Sequence, residues 1–356
     1  MNEQMLNMNA TLSSVDVIRN WLLQQGHVCR NHGVTIMYCM DFPNLFMNSL
    51  EIGPTATHSR ASDDYVPDRA NVNWQIGVTG ALLWSIGLFP DKDGFYTNTT
   101  EEVLKPDAKF YKYREPFPIT HAIAAVYSAG PVAPSDGIDS ANASLIRQTC
   151  RQDGLLLKPD RPAVPIDRTW LQRAFGNQTN PIGPEGELWT TYSIIGGRRY
   201  DFVLGVQLHH QFDVLPSDLL RERPLERLPR VAYQFNSFSL GRPVNSTVLF
   251  SGSSPLPIPQ GLTYGDFTLW IVCPFAEKGE AVFLGEVGKI VPSSSRRFSL
   301  ISSSGPTLQV TMHGTPGETV SFSILPPNNE GPPQVFSCSI PAAGISNFIY
   351  GPNVCD

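Results

Sequence analysis

Val34-Thr35-Ile36-Met37-Tyr38-Cys39-Met40-Asp41 is a continuous apolar run that ends in an acid. Such a run offers no polar face to water, so it reads as a strand buried on both sides, as in a parallel sheet. Before it lies a segment with helical spacing: Ser14 as N-cap, then Val17, Ile18, Trp21 and Leu22, with Gly33 as terminator. After it, residues 44–50 form a short helical stretch, 57–65 a strand ending in acids, and 75–88 a strong helix. Residues 90–95 read as an acidic turn, 120–128 as another helix, and 129–132 as a short strand end. Strand and helix alternate, which is the logic of an α/β fold. About four β/α units are expected, half of a TIM-type (β/α)8 barrel.

The pattern changes near residue 165. Beyond it the apolar segments are short and alternating, at residues 192–195, 202–208, 231–238, 247–250, 267–272, 281–284, 298–301, 308–312 and 320–324. Gly, Pro and Ser separate them, and strands at this spacing predict a β-sandwich. The expected fold class is therefore α/β plus all-β. Residues 1–165 form a partial (β/α) barrel, and residues 166–356 a C-terminal β-sandwich domain. Gly196-Gly197 reads as a hairpin turn. Cys39 reads as a buried small hydrophobe, and Trp21 as a core residue.

Composition narrows the function. The 356 residues are only 16% charged, with a net charge of -6 and no Lys/Arg block. A nucleic-acid partner is not expected, because phosphate binding needs a basic face. No apolar run reaches the roughly 18 residues of a membrane span, and no secretory signal opens the sequence. Cys29, Cys39, Cys150, Cys273, Cys338 and Cys355 show no C-x-x-C spacing. No structural zinc and no cofactor is expected, and Cys338 and Cys355 are near enough in sequence to pair. His209 and His210 are adjacent on a strand and face opposite sides, which is unsuited to one metal ion. The sequons at Asn9, Asn98, Asn142, Asn177 and Asn245 point to a secreted or lysosomal origin. A lost N-terminal part reconciles them with the absent signal.

The active site of a barrel forms where strands end at their C-terminal edge. Asp41 follows the first strand, Asp63 and Asp64 the second; Asp91 and Asp93 follow next, and Ser135-Asp136 the last. Acids accompanied by Tyr65, Trp74, Phe95 and Tyr96 suit a sugar. Carboxylates bind hydroxyls and serve as general acids and bases, and ring faces stack on a pyranose. Against this stands the ordinary use of Asp in turns and caps.

Four motifs carry a family resemblance. Ser59-Arg60-Ala61-Ser62-Asp63-Asp64-Tyr65-Val66-Pro67 resembles the R-x-S-D-D-F-x-P stretch of raffinose synthases and alkaline α-galactosidases. Pro90-Asp91-Lys92-Asp93-Gly94-Phe95 resembles their P-D-W-D-M-F, and Ser128 through Asp136 their S-G-G-P-V-Y-V-S-D. Asp153-Gly154-Leu155-Leu156-Leu157-Lys158, then Asp160-Arg161-Pro162, resembles their D-G-S-I-L-R and G-R-P.

The resemblance covers roughly residues 13–170, the late strands 5–8 of the barrel. It implies a retaining double displacement on an α-galactoside oligosaccharide or glycan, by hydrolysis or galactosyl transfer. In a retaining enzyme the two carboxyl groups stand about 5–5.5 Å apart. Carried over, Asp64 is the acid/base and Asp63 its neighbouring alternative, with Arg60 holding sugar hydroxyls or the nucleophile. Asp41, Asp91, Asp93 and Asp136 are the substrate-binding acids. The family nucleophile lies in a K-x-D context on the fourth strand, and the segment before residue 34 has no such strand. The missing half is expected from an N-terminal portion or a second chain. The alternative is a carbohydrate-binding relative without catalysis, or a fragment.

Overall fold

The computed structural model describes residues 14–39, 47–62, 65, 76–99, 103–104, 112–113, 115–177, 179–219, 230–235, 244, 246–262, 265–275, 279–304, 307–329 and 331–356. Helix α1 (Val15–Asn31) follows Ser14, whose extended backbone marks the expected cap position. Gly33, with φ of 64°, turns the chain out of α1. Strands β1 (Ile36–Tyr38), β2 (Ala56–Arg60) and β3 (Phe89–Asp91) lie side by side in that order and run parallel. Helix α2 (Ile76–Ser85) makes the crossover from β2 to β3. Arg60 pairs in register with Asp91, so both stand at the C-terminal edge of the sheet. One further parallel bridge joins Phe95 to Pro134. The described residues close no barrel.

Local differences from the sequence expectation have physical causes. The apolar run at residues 34–40 is not buried on both faces: Val34 is 54% and Met37 51% exposed, and Cys39 is exposed. β1 is the outer strand of the three, so one side lacks a covering neighbour among the described residues. Trp21, on α1, is 38% exposed rather than a core residue. Pro90 and Asp91, read as a turn, are the last residues of β3. Residues 129–132 form no strand, because Ala129 has φ of 60° and leaves extended geometry. At Gly130 a Cβ would lie 2.2 Å from the Pro90 carbonyl oxygen, so only glycine fits there.

Helix α3 (Pro118–Tyr127) is the hub. Pro118 stands in its first turn, where a missing N–H costs nothing. Ala122, Ala124 and Ala125 favour helix and keep its surface narrow. Residues 120–127 are all buried, so the helix is enclosed on every side. Two of its polar side chains reach carbonyls: Thr120 Oγ1 donates to the Gly265 carbonyl, and Tyr127 Oη to the Ile290 carbonyl. Helix α4 (Ala143–Thr149) follows, capped by Asn142 Oδ1 on the amides of Ser144 and Leu145.

Strand β4 (Val164–Pro165) opens the second part, helix α5 (Asp167–Phe175) follows, and a long hairpin of β5 (Glu187–Ile195) and β6 (Arg198–Val206) comes next. Gly196 and Gly197, with φ of 57° and 84°, make the expected tight turn. Strands β7 (Arg230–Phe235), β8 (Val248–Phe250) and β9 (Phe267–Pro274) complete a six-stranded antiparallel sheet, ordered β8-β7-β9-β6-β5-β4.

The chain then forms β10 (Val282–Glu286), β11 (Phe298–Ser304), β12 (Thr307–His313), β13 (Thr319–Leu325), β14 (Gln334–Ser339), β15 (Ile345–Tyr350) and β16 (Val354–Cys355). They make one sheet ordered β10-β13-β14 and another ordered β11-β12-β15-β16. The two meet through rings: Phe283 on Phe298 at 4.8 Å, and Phe348 on Phe322 and Phe336 at 4.9 Å each. The disulfide Cys338–Cys355 ties β14 to β16 across them.

Each expected apolar segment beyond residue 165 contains a strand. The six-stranded sheet begins at Val164, just before the expected boundary at 165/166. One hydrophobic core runs through both parts, from Ile76 and Phe95 through α3 to Phe348.

Buried Arg297 is held by Glu286 (2.8 Å) and Glu318 (2.6 Å), and it donates to the His313 carbonyl. Removing the guanidinium strands two carboxylates in low dielectric. Arg297→Met is expected to lower stability by about 3–5 kcal/mol. Urea unfolding followed by tryptophan fluorescence measures it, and a loss below about 1 kcal/mol contradicts this account.

Candidate functional site

Three of the sequence-identified residues converge at the C-terminal edge of the parallel sheet. Arg60 ends β2, Asp91 ends β3, and Asp93 follows within the next turn. Arg60 Nη1 lies 3.3 Å from Asp93 Oδ1. The Asp93 amide donates to Ser62 Oγ (2.8 Å), and Asp93 Oδ2 accepts from the Tyr65 amide (2.7 Å). Asp93 therefore grips the β2 segment on both sides of Asp63-Asp64. Asp63, Asp64, Asp41 and Trp74 lie outside the described residues.

Asp91 is buried, and its Oδ1 has no hydrogen-bond partner among the described residues. Burial pushes its carboxyl up to about 7; Arg60 and Lys158 pull it down and Asp93 pushes it further up. Lys158 donates to the Ala129 carbonyl, and burial brings its amine down to about 8. Asp136 accepts from both the amide and the hydroxyl of Thr97, each at 2.8 Å. That use ties two loops together and engages each carboxylate oxygen once, leaving acceptor capacity on both.

Beneath this edge lies a buried polar cluster that the sequence reading did not single out. Lys92 is 1% exposed, and Glu115 and His121 are 0% exposed. Lys92 Nζ sits 4.3 Å from the centre of the Tyr65 ring and donates to the Asp93 carbonyl (3.2 Å). Burial lowers its amine to about 7, although Asp93 favours the charged form. Tyr65 Oη donates to Glu115 Oε2, and Glu115 Oε1 accepts from the Phe117 amide at 2.9 Å. Burial pushes the Glu115 carboxyl up to about 7, against the Phe117 amide. His121 Nε2 is 3.5 Å from Glu115, and its ring lies 4.5 Å from Tyr65. Burial first, and then Lys92, hold His121 neutral.

Lys92 was legible only as a letter inside a motif. Glu115 and His121 carried no signal, because what makes them notable is their enclosure by α3 and the sheet edge. These groups are sealed from solvent beneath the rim. Tyr65 and Tyr96, with centroids 6.4 Å apart, are partly buried at the same edge, the Tyr65 ring lying against Lys92 and His121.

A concavity with a volume of about 610 Å³ lies elsewhere, between the end of α4 and strands β10 and β13. Its carboxylates, Glu286 and Glu318, are already taken by Arg297. Among the described residues no group of three or more His, Cys, Asp or Glu is arranged to hold a metal ion. No helix among them is long and apolar enough to cross a membrane. No model of a known protein family matches the chain, and no curated protein matches it.

The cluster has a measurable pH signature. A carboxyl raised to about 7 in the folded state binds a proton that the unfolded state has lost above about 4.5. Stability from Glu115 is thus greatest below that point and falls as pH rises toward 7. Glu115→Gln keeps the buried amide neutral at every pH. The wild-type protein is expected to lose on the order of 2 kcal/mol relative to Glu115→Gln between pH 4.5 and 7.5. Urea melts across that range test it, and parallel profiles for the two proteins contradict the assignment.

Proposed function

We propose that this chain is a glycoside hydrolase-like protein acting on α-galactosides, as an α-galactosidase or a galactosyl transferase of the raffinose-synthase type. Asp64 is the acid/base of a retaining double displacement. It protonates the leaving oxygen and then takes a proton from water or an acceptor sugar. The reading rests on the four motifs shared with that family. The single observation that carries it is the grip of Asp93 on Ser62 and Tyr65, which brackets Asp63-Asp64 at a parallel-strand end. A barrel enzyme needs its acid at such an end.

Arg60 orients Asp93 by ion pairing. Asp91, Asp93 and Asp136 are buried or already engaged, so none of them is the nucleophile in this proposal. That carboxylate, about 5–5.5 Å from Asp64, comes from an N-terminal half or from a second chain. The engagement of these acids also favours a second reading, in which the rim binds carbohydrate without cleaving it.

Hydrolysis of a chromogenic α-galactoside, by the chain together with the part that supplies the nucleophile, separates the two. For the first reading, Asp64→Asn is expected to lower kcat by about 10²–10⁴-fold with little change in KM. Binding of α-galactosides by calorimetry with no turnover in wild type supports the second. Neither binding nor turnover by the folded chain rejects both. Asp93→Ala is expected to lower kcat/KM about 10²-fold, because it removes the carboxylate that holds the Tyr65 amide and Arg60, while the backbone bond to Ser62 Oγ remains. An unchanged kcat/KM in that variant rejects the grip as the positioning element.

A further inference from the structure

The end of α5 leaves an apolar surface uncovered. Phe175, its last residue, is 74% exposed, with Trp170 and Leu171 at 44% each and Ile182 at 41%. Single exposed apolar residues are ordinary, but a cluster around one helix end calls for a covering group. The residues that follow are Gly176-Asn177-Gln178-Thr179, so a sequon begins two positions after the exposed ring. Gly176 is extended, with φ of -75° and ψ of 157°. Asn177 is exposed, in a turn closed by its bridge to Asn180. Its Oδ1 accepts from the Thr179 amide (3.1 Å), the Thr179 hydroxyl (2.9 Å) and the Asn180 amide (2.7 Å). Those bonds fix the exposed side chain by its oxygen, and Nδ2 has no hydrogen bond among the described residues.

We infer that Asn177 carries an N-linked glycan whose first sugar covers the face of Phe175. In the attachment step Nδ2 attacks the anomeric carbon of a lipid-linked oligosaccharide diphosphate supplied by the secretory pathway. The C–O bond to the diphosphate breaks, the lipid diphosphate leaves, and Nδ2 gives up one proton. The sugar's axial C–H groups then lie against the ring and withdraw apolar area from water.

The other sequons lack this arrangement. Asn98 Nδ2 already donates to the Ser140 carbonyl at 3.1 Å. Asn142 is exposed, but Ser140 rather than an aromatic residue stands two positions before it. Asn9 and Asn245 lie outside the described residues. The Cys338–Cys355 disulfide independently places the folded chain in an oxidising compartment, where such glycans are added.

The test is expression of the full chain behind a cleavable secretion signal in a eukaryotic cell. Peptide mass spectrometry follows, on chain recovered from both the endoplasmic reticulum and the medium. A glycan at Asn177 that is lost in both Asn177→Gln and Thr179→Ala is expected, as is a melting temperature about 1–3 °C lower after enzymatic deglycosylation. In Phe175→Ala that difference is expected to vanish and occupancy at Asn177 to fall. An unmodified Asn177 overturns the inference. A glycan whose removal shifts melting equally in wild type and Phe175→Ala overturns the role given to the ring.

Discussion

The complete burial of α3 is the constraint on which the rest of this structure depends. A helix can be surrounded on all sides only if its backbone groups bond internally and its side chains are small or matched. Ala122, Ala124 and Ala125 meet the first demand of size, and Thr120 and Tyr127 reach carbonyls at Gly265 and Ile290. Both carbonyls belong to the β-rich part, so the helix joins it to the parallel sheet. Phe117, just before α3, seats so closely at Gly265 that a Cβ there would lie 2.2 Å from its ring. The two parts therefore share a core.

The buried charges divide into two kinds. Arg297 lies between Glu286 and Glu318, and Asp201 lies between Arg199 (2.5 Å) and Arg230 (3.0 Å). These groups pair directly with one another, as structural networks do. Lys92 differs. Its surroundings are the Tyr65 and Phe95 rings and a backbone carbonyl. A lysine held near neutrality, a raised glutamate and a neutral histidine under one sheet edge form an expensive arrangement. Such departures concentrate where function overrides stability.

Much of this was legible in the sequence, for a definable reason. Strand positions beyond residue 165 followed from period-two alternation, and the Gly196-Gly197 turn followed from its demand for positive φ. Strands β14 to β16 went unread, because Gln334, Ser337, Ser339 and Asn347 dilute their apolar pattern. The pairing of Arg60 with Asp93 was implicit in two motifs, but only the register of β2 on β3 brings them together. Position β1 was misjudged as doubly buried, since a local run carries no information about which strand lies outermost. Glu115 and His121 were invisible, because enclosure is a property of distant segments meeting.

The same enclosure explains why a positioning role for the cluster is physically sensible. A general acid must reach its proton acceptor at about 2.6–3.2 Å, and a displacement near 1 Å costs about 10²-fold in rate. A loop held only by exposed hydrogen bonds wanders by more than that. Here the residues on either side of Asp63-Asp64 are tied to Asp93, and Tyr65 is anchored again through Glu115 to the amide of Phe117. Phe117 is the N-cap of α3. The chain of contacts thus runs from a helix buried over residues 120–127 to the residue beside the proposed acid. The buried cluster's cost in stability secures position at the rim.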